Sequence, residues 1–294
     1  MRITSAIAFA VLLISAPFAT EAQQAGKVYR IGFLGSAVAA ANKDRLEAFR
    51  QGLRDLGYAE GRNILIEYRW AEGDYERLPG LARELVARKP DLIVSTGGPP
   101  SVRALRQATT SIPVVFLTSD PAADGVVLRL GRPSGNFTGL DVFAIELDTK
   151  RLALLKEALP QASRVVYLWN PLNPSGVPQR NRIEIAAGAL AVRLQILEAR
   201  LFAEIDAAFA TMARERPDAL IVASDPMLDS QRKCIVGLAA TNRLAAIYQW
   251  REFAEAGGLM SYGADLPALY RRLPIYVDRV LKGAKGSKAG RPSG

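Results

Sequence analysis

Pro90-Asp91-Leu92-Ile93-Val94-Ser95-Thr96-Gly97-Gly98-Pro99-Pro100-Ser101 reads as a strand, a glycine turn and a helix start. Leu92 to Val94 is an apolar, partly β-branched run after a Pro-Asp break, the pattern of a strand buried on both faces. The chain turns through Gly97-Gly98 into a helical pattern over Val102 to Ala108, with Pro99 and Pro100 near its start. This is where a parallel α/β sheet holds small anions, on N–H groups that the first helical turn leaves free. The prolines carry no N–H, so Gly97, Gly98 and Ser101 would be the donors. A lone Gly-Gly pair is more often a plain tight turn. Its weight here comes from repetition, because the same unit recurs along the chain.

Working outward, Val28 to Gly35 reads as a strand and Asn42 to Leu56 as a helix with Leu46, Phe49, Leu53 and Leu56 at helical spacing. Asn63 to Trp70 alternates like a half-buried strand, and Asp74 caps a helix running to about Arg88. Ile112 to Leu117 is the next strand, Gly125 to Leu130 a short helix or turn, and Phe137 to Phe143 a strand leaving this half. The alternation then restarts. Helices are expected over Leu147 to Leu159, Gln179 to Val192, Glu204 to Arg214, Leu228 to Asn242 and Leu266 to Leu281. Strands are expected over Arg164 to Trp169, Leu194 to Ala199, Ala219 to Ala223 and Ala245 to Trp250, with Gly258 to Gly263 a short extended piece. Ala87 to Ser95 matches Ala213 to Ser224 with small insertions: a helix end, a Pro-Asp break, a buried strand. Repeated βα units imply an α/β fold of two doubly wound, Rossmann-like lobes with a hinge and an interlobe cleft. The expected division is lobe 1 at 27–142 with a returning helix in 264–283, and lobe 2 at 143–263.

Composition narrows the chemistry. The 294 residues are 49% hydrophobic and 23% charged, ordinary for a globular protein. The absence of histidine removes a Ser-His-Asp triad and most zinc sites. No metal or cofactor is expected. The single cysteine, Cys234, excludes an internal disulfide and reads as a core residue of its helix rather than a reactive thiol. The net charge of +9 is scattered among acids, so no nucleic-acid partner is expected.

Residues 1–22 read as a cleavable signal peptide: Arg2, an apolar core over Ile3 to Ile14, then Thr20 and Ala22 at the −3 and −1 places. Export without disulfides fits a bacterial periplasm. Residues 284–294 are glycine-rich and basic and read as a disordered tail.

The assembled pattern resembles the ABC-transporter substrate-binding proteins of the TrpX-like type, with the type I periplasmic-binding fold. The carrying residues include Tyr29-Arg30-Ile31-Gly32-Phe33-Leu34, Phe49 to Tyr58, Gly61-Arg62-Asn63-Ile64 and Glu67 to Gly73. Trp169-Asn170-Pro171, Arg251-Glu252-Phe253, Gly257 to Gly263 and Tyr276-Val277-Asp278 complete them. The resemblance implies a solute receptor that serves a membrane permease and its ATPase, binds without turnover and works as a monomer. Characterised relatives of this type take aromatic amino acids. The chain departs from the family after about Ala284, where a segment returning to lobe 2 is expected. That departure implies a less stable second lobe and weaker ligand binding.

A solute cleft between two such lobes draws its polar groups from strand ends. From lobe 1 these are Gly35-Ser36, the Thr96-Gly97-Gly98-Pro99-Pro100-Ser101 turn and Ser119-Asp120; from lobe 2, Trp169-Asn170, Ser224-Asp225 and Gln249-Trp250, with Tyr262 near the hinge. The helix start after Gly98 suits a carboxylate, Asp120 or Asp225 an ammonium group, and Trp169, Trp250 or Tyr262 an aromatic or apolar body. Ser-Asp-Pro after a strand is also a common turn and cap, and a strand-end tryptophan is often core. The expected function is therefore a periplasmic receptor for a small carboxylate-bearing solute. A Rossmann-like enzyme is disfavoured, since Gly32-Phe33-Leu34-Gly35-Ser36 has the wrong spacing for a dinucleotide loop. A sensor uncoupled from transport and a truncated, non-binding paralogue both stay open.

Overall fold

Two five-stranded parallel sheets carry the chain, and both are strung in the same order. The structure, a computed structural model, describes residues 27–122, 124–129, 132–133 and 135–283. The first sheet uses β1 (Tyr29–Gly35), β2 (Ile64–Trp70), β3 (Leu92–Ser95), β4 (Val114–Thr118) and, past a small antiparallel pair β5 (Val127–Arg129) and β6 (Arg132–Pro133), β7 (Phe137–Asp141). The second uses β8 (Arg164–Trp169), β9 (Arg193–Glu198), β10 (Ala219–Val222), β11 (Ala245–Tyr248) and β12 (Met260–Ser261). Their orders, β2-β1-β3-β4-β7 and β9-β8-β10-β11-β12, superpose strand for strand. Each has its switch point between the first and third strands of its lobe, where ligands of doubly wound sheets bind.

The helices are α1 (Lys43–Asp55), α2 (Leu78–Ala87), α3 (Gly98–Ala108), α4 (Ala144–Ala158), α5 (Gly176–Ala189), α6 (Phe202–Glu215), α7 (Pro226–Ser230), α8 (Arg232–Thr241), α9 (Arg251–Glu255), α10 (Leu266–Arg272) and α11 (Pro274–Leu281). Strands β3, β4 and β10 are buried at every residue, as strands covered on both faces must be. After β12 the chain returns to lobe 1, where α10 packs on α1. Gly52 permits that contact: a Cβ there would fall 2.2 Å from the Arg271 carbonyl oxygen.

The repeated Pro-Asp break has a physical reason. The Asp91 carboxylate accepts from the Arg30 N–H (2.8 Å), clamping β3 to the start of β1. The Asp218 carboxylate accepts from Ser163 and Arg164 N–H groups (2.7 and 2.8 Å), clamping β10 to the start of β8. The Ser163 and Arg164 N–H groups hold the Asp218 carboxyl below its usual range.

Several expectations are corrected. Cys234 is exposed, because the buried face of α8 runs through Ile235, Val236 and Ala239. Burial of its partly covered sulfur still pushes its pKa up, so the thiol form is favoured. The helix expected over Leu228 to Asn242 breaks at Gln231 into α7 and α8. The last helix is split by Pro274, which cannot donate within a helix interior. The turn expected after Gly125 contains β5. The signal peptide at 1–22 and the tail at 284–294 lie outside the described residues. Among the described residues no helix is long and apolar enough to cross a membrane.

Candidate functional site

The two switch points face each other, and the space between them is a cavity of about 70 Å³. On the lobe 1 side the sequence dictates a tight turn. Gly97 lies so close to β1 that a Cβ would stand 2.2 Å from Ser36 Oγ and 2.4 Å from Ser36 N. Gly98 follows with φ +65°, a left-handed conformation that glycine adopts without strain. Ser101 Oγ donates to the Gly98 carbonyl (3.0 Å) and accepts from Ser95 Oγ (2.7 Å), bracing the turn from below. Ser36 Oγ and Thr96 Oγ1 are buried with no hydrogen-bond partner among the described residues. Two bare hydroxyls therefore flank the start of α3, whose dipole favours negative charge.

On the lobe 2 side Asp225 follows β10 and caps α7. Its Oδ1 accepts from the N–H groups of Met227 (2.9 Å) and Leu228 (3.0 Å), and its Oδ2 from Asn173 Nδ2 (2.9 Å) and Tyr75 OH (2.8 Å). Tyr75 belongs to lobe 1, so this bond crosses the cleft. Burial pushes the Asp225 carboxyl up, while the bonds from Leu228, Tyr75 and Asn173 pull it down. Burial and the neighbouring carboxylate push the Tyr75 phenol well up, so it remains the donor.

The rims also touch. Arg45, buried on α1, donates to Asp229 of α7 through Nη1 and, at 3.2 Å, through Nη2; its Nε donates to Glu252 of α9 at 2.8 Å. Burial opposes the Arg45 charge, but Asp229 and Glu252 outweigh it and raise its pKa. A second guanidinium, Arg232, adjoins this pair of carboxylates, its Nη1 donating to the Asp229 carbonyl at 3.3 Å. Val38 N–H donates to Ser230 Oγ (2.9 Å) and Arg232 Nη2 to the Ala41 carbonyl (3.0 Å) along the same seam. Behind them, apolar walls come from Pro99, Leu117, Val142, Trp250, Leu266 and Tyr270.

Of the residues singled out from sequence, Thr96, Gly98, Asp225 and Trp250 line the cavity. Ser36, which follows β1, and Gly97 pack against each other beside Thr96 and Gly98. Ser101 faces the turn, and Asn170 Nδ2 donates to Asp225 Oδ1 at 3.5 Å while its Oδ1 accepts from Leu172 N–H at 2.9 Å. Trp169 belongs to the second core of lobe 2, packed on Gly176 with the Arg180 guanidinium 5.7 Å from its ring. Tyr262 is off the cavity with its ring partly exposed, and at Asp120 the lining residue is its neighbour Ser119. Ser119 and Ser224, also singled out from sequence, line the cavity too, whereas sequence reasoning missed Arg45, Asn173, Asp229 and Tyr270. Arg45 carried a signal: it stands four residues before Phe49 and eight before Leu53, on the buried stripe of α1.

A family model described as ABC transporter substrate binding protein matches residues 39–289. This chain belongs to that family. The family binds solutes and is not enzymatic. The substrate-binding protein is similar to a tyrosine-binding protein of Clostridioides difficile (strain R20291), 26% identical over 238 residues, which are 81% of this chain and 68% of the relative. In fold it is similar to a conserved domain protein from Vibrio cholerae (TM-score 0.82, 24% identity, 89% and 88% of the two chains). It is likewise similar to a Streptococcus pneumonia ABC domain in complex with L-Trp (TM-score 0.79, 23% identity, 88% and 87%). These likenesses identify the substrate-binding protein as having the type I periplasmic-binding fold, with two α/β lobes.

Proposed function

We propose that this substrate-binding protein is the periplasmic receptor of an ABC importer and takes an amino acid with an aromatic or apolar side chain. The observation that carries the reading is the pair of unpartnered buried hydroxyls, Ser36 and Thr96, at the start of α3. A carboxylate placed there would accept from both hydroxyls and from the Gly98 and Ser101 N–H groups. The Asp229 carboxylate, which lines the cavity, offers an acceptor for an ammonium group at the opposite rim. Trp250, Tyr270 and Leu117 supply an apolar surface for the side chain. Asp225, with its acceptor sites already engaged, would shape the wall and hold the lobes together. The tyrosine and L-Trp named for two relatives fit the same chemistry.

The test is calorimetric titration of ligand-stripped protein with L-tyrosine and L-tryptophan, beside tyramine and tryptamine, which lack the carboxylate. Micromolar binding, about −8 kcal/mol, of either amino acid is expected, with no binding of the amines. Equal binding of acid and amine would reject the carboxylate site. Failure of both amino acids to bind would reject the aromatic amino-acid reading.

A further inference from the structure

We propose that Arg151 is a positioning residue for ligand binding: it turns Ser224 into a hydrogen-bond donor aimed into the interlobe cavity and ties that donor to both ends of lobe 2. The inference rests on the cavity being the ligand site. Arg151 lies on α4 and has no exposed surface. Its Nη2 donates to Asp148 and, at 3.0 Å, to Ser224 Oγ; its Nη1 donates to the Tyr262 carbonyl at 2.8 Å. Asp148 accepts in addition from Tyr167 OH at 2.9 Å. A guanidinium has donors only, so Ser224 Oγ must act as the acceptor of this bond. The serine proton then has to point elsewhere, and Ser224 lines the cavity. The bond to a cation also withdraws charge from the oxygen and makes that proton a stronger donor.

The place of Arg151 in the chain adds a second role. Helix α4 begins directly after the first passage between lobes, which follows β7. Tyr262 stands just before the second passage, which leads through Gly263 into α10. Gly263 is itself pressed on the residue that follows β11, where a Cβ would fall 1.8 Å from the Gln249 carbonyl oxygen. One guanidinium therefore joins the entry to lobe 2, the exit from it and a cavity hydroxyl. A fully buried ion pair is a weak source of stability compared with apolar packing. Its geometric role here accounts for its presence. The ligand group facing Ser224 must be an acceptor, such as a carbonyl, carboxylate or phenol oxygen.

The test is a double-mutant cycle in the full mature chain, with L-tyrosine as the probe, using Ser224→Ala and Arg151→Lys. Ser224→Ala is expected to weaken binding about tenfold, and Ser224→Thr to restore it. Arg151→Lys keeps the charge but loses the planar fork. It is expected to weaken binding in the Ser224 protein and to cause no further loss in the Ser224→Ala protein. Equal losses in both backgrounds, or wild-type binding by Ser224→Ala, would overturn the role. If the wild type ignores L-tyrosine, the amino-acid reading fails while the tie to the exit is still read without ligand. Amide exchange over 262–265 should then quicken in Arg151→Lys and not in Ser224→Ala, and an unaltered profile would overturn the tie.

Discussion

The two lobes share a strand order and a Pro-Asp clamp, yet the loops after their third strands behave in opposite ways. In lobe 1 the loop is a glycine turn that leaves Ser36 and Thr96 hydroxyls unpartnered beside an eleven-residue helix. In lobe 2 the same loop carries Asp225, whose oxygens are taken by Met227, Leu228, Asn173 and Tyr75 at the start of a five-residue helix. Duplicated topology thus fixes where a site can form but not which lobe holds the free donors. A carboxylate that satisfies its own loop stabilises; a hydroxyl left bare recognises.

The largest expected effect comes from breaking the lobe 2 loop. Asp225→Ala takes the acceptor from the Tyr75 hydroxyl and the Leu228 N–H, and one of two acceptors from the Met227 N–H and the Asn173 amide. Loss of about 3 kcal/mol or more of stability in urea denaturation is expected. Were Asp225→Ala no less stable than Thr96→Val, the contrast between the loops would be lost.

Next comes the seam. Arg45→Met leaves Asp229 and Glu252 facing each other in the closed form, whereas an open form returns both to water. Closure should become less favourable by about 3 kcal/mol. Small-angle scattering with saturating ligand should show a larger radius of gyration than for the wild type. An identical scattering curve would mean that Arg45 is not what holds the rims together.

In lobe 1 the expected effect falls on binding alone. Ser36→Ala and Thr96→Val each remove a donor that no protein group uses, so affinity should fall about tenfold while the melting temperature stays nearly constant. A lowered melting temperature with intact affinity would show these hydroxyls to be structural.

The smallest effects sharpen the symmetry. Asp91→Ala and Asp218→Ala should each cost about 1 kcal/mol or less, and by similar amounts, because both clamps are near the surface. The folded pKa of each aspartate is lowered. The contribution is therefore complete above the unfolded value of about 3.9 and disappears as pH falls through the folded value. Titrating stability of the wild type and both variants from pH 7 to 3 should bring the curves together at the acid end. Curves that stay parallel would assign the loss to something other than the carboxylate.

What could be read in advance follows the same physics. Strand ends were legible because alternating apolar runs and Pro-Asp breaks locate them, and topology then makes them neighbours. That is how Thr96, Gly98, Asp225 and Trp250 were found. Trp169 was placed at a strand end correctly, but the face on which its ring lands depends on packing against Gly176. Arg45 and Arg151 were missed although both stand on buried helical stripes, Arg45 with Phe49 and Leu53, Arg151 with Leu152 and Leu155. A charged residue on an apolar stripe is the signal, and its partners come from distant segments that sequence does not bring together. Cys234 failed in the reverse direction: an apolar residue near the stripe of α8 proved to be beside it.

That misplaced cysteine has a practical side. It is the one thiol in 294 residues, it is exposed, and it stands two residues from Arg232, whose guanidinium reaches across the seam to Ala41. A maleimide dye attached there would sit next to surfaces that part when the rims separate. With no residue added or removed, the chain carries an attachment point for an optical reporter of its own ligand.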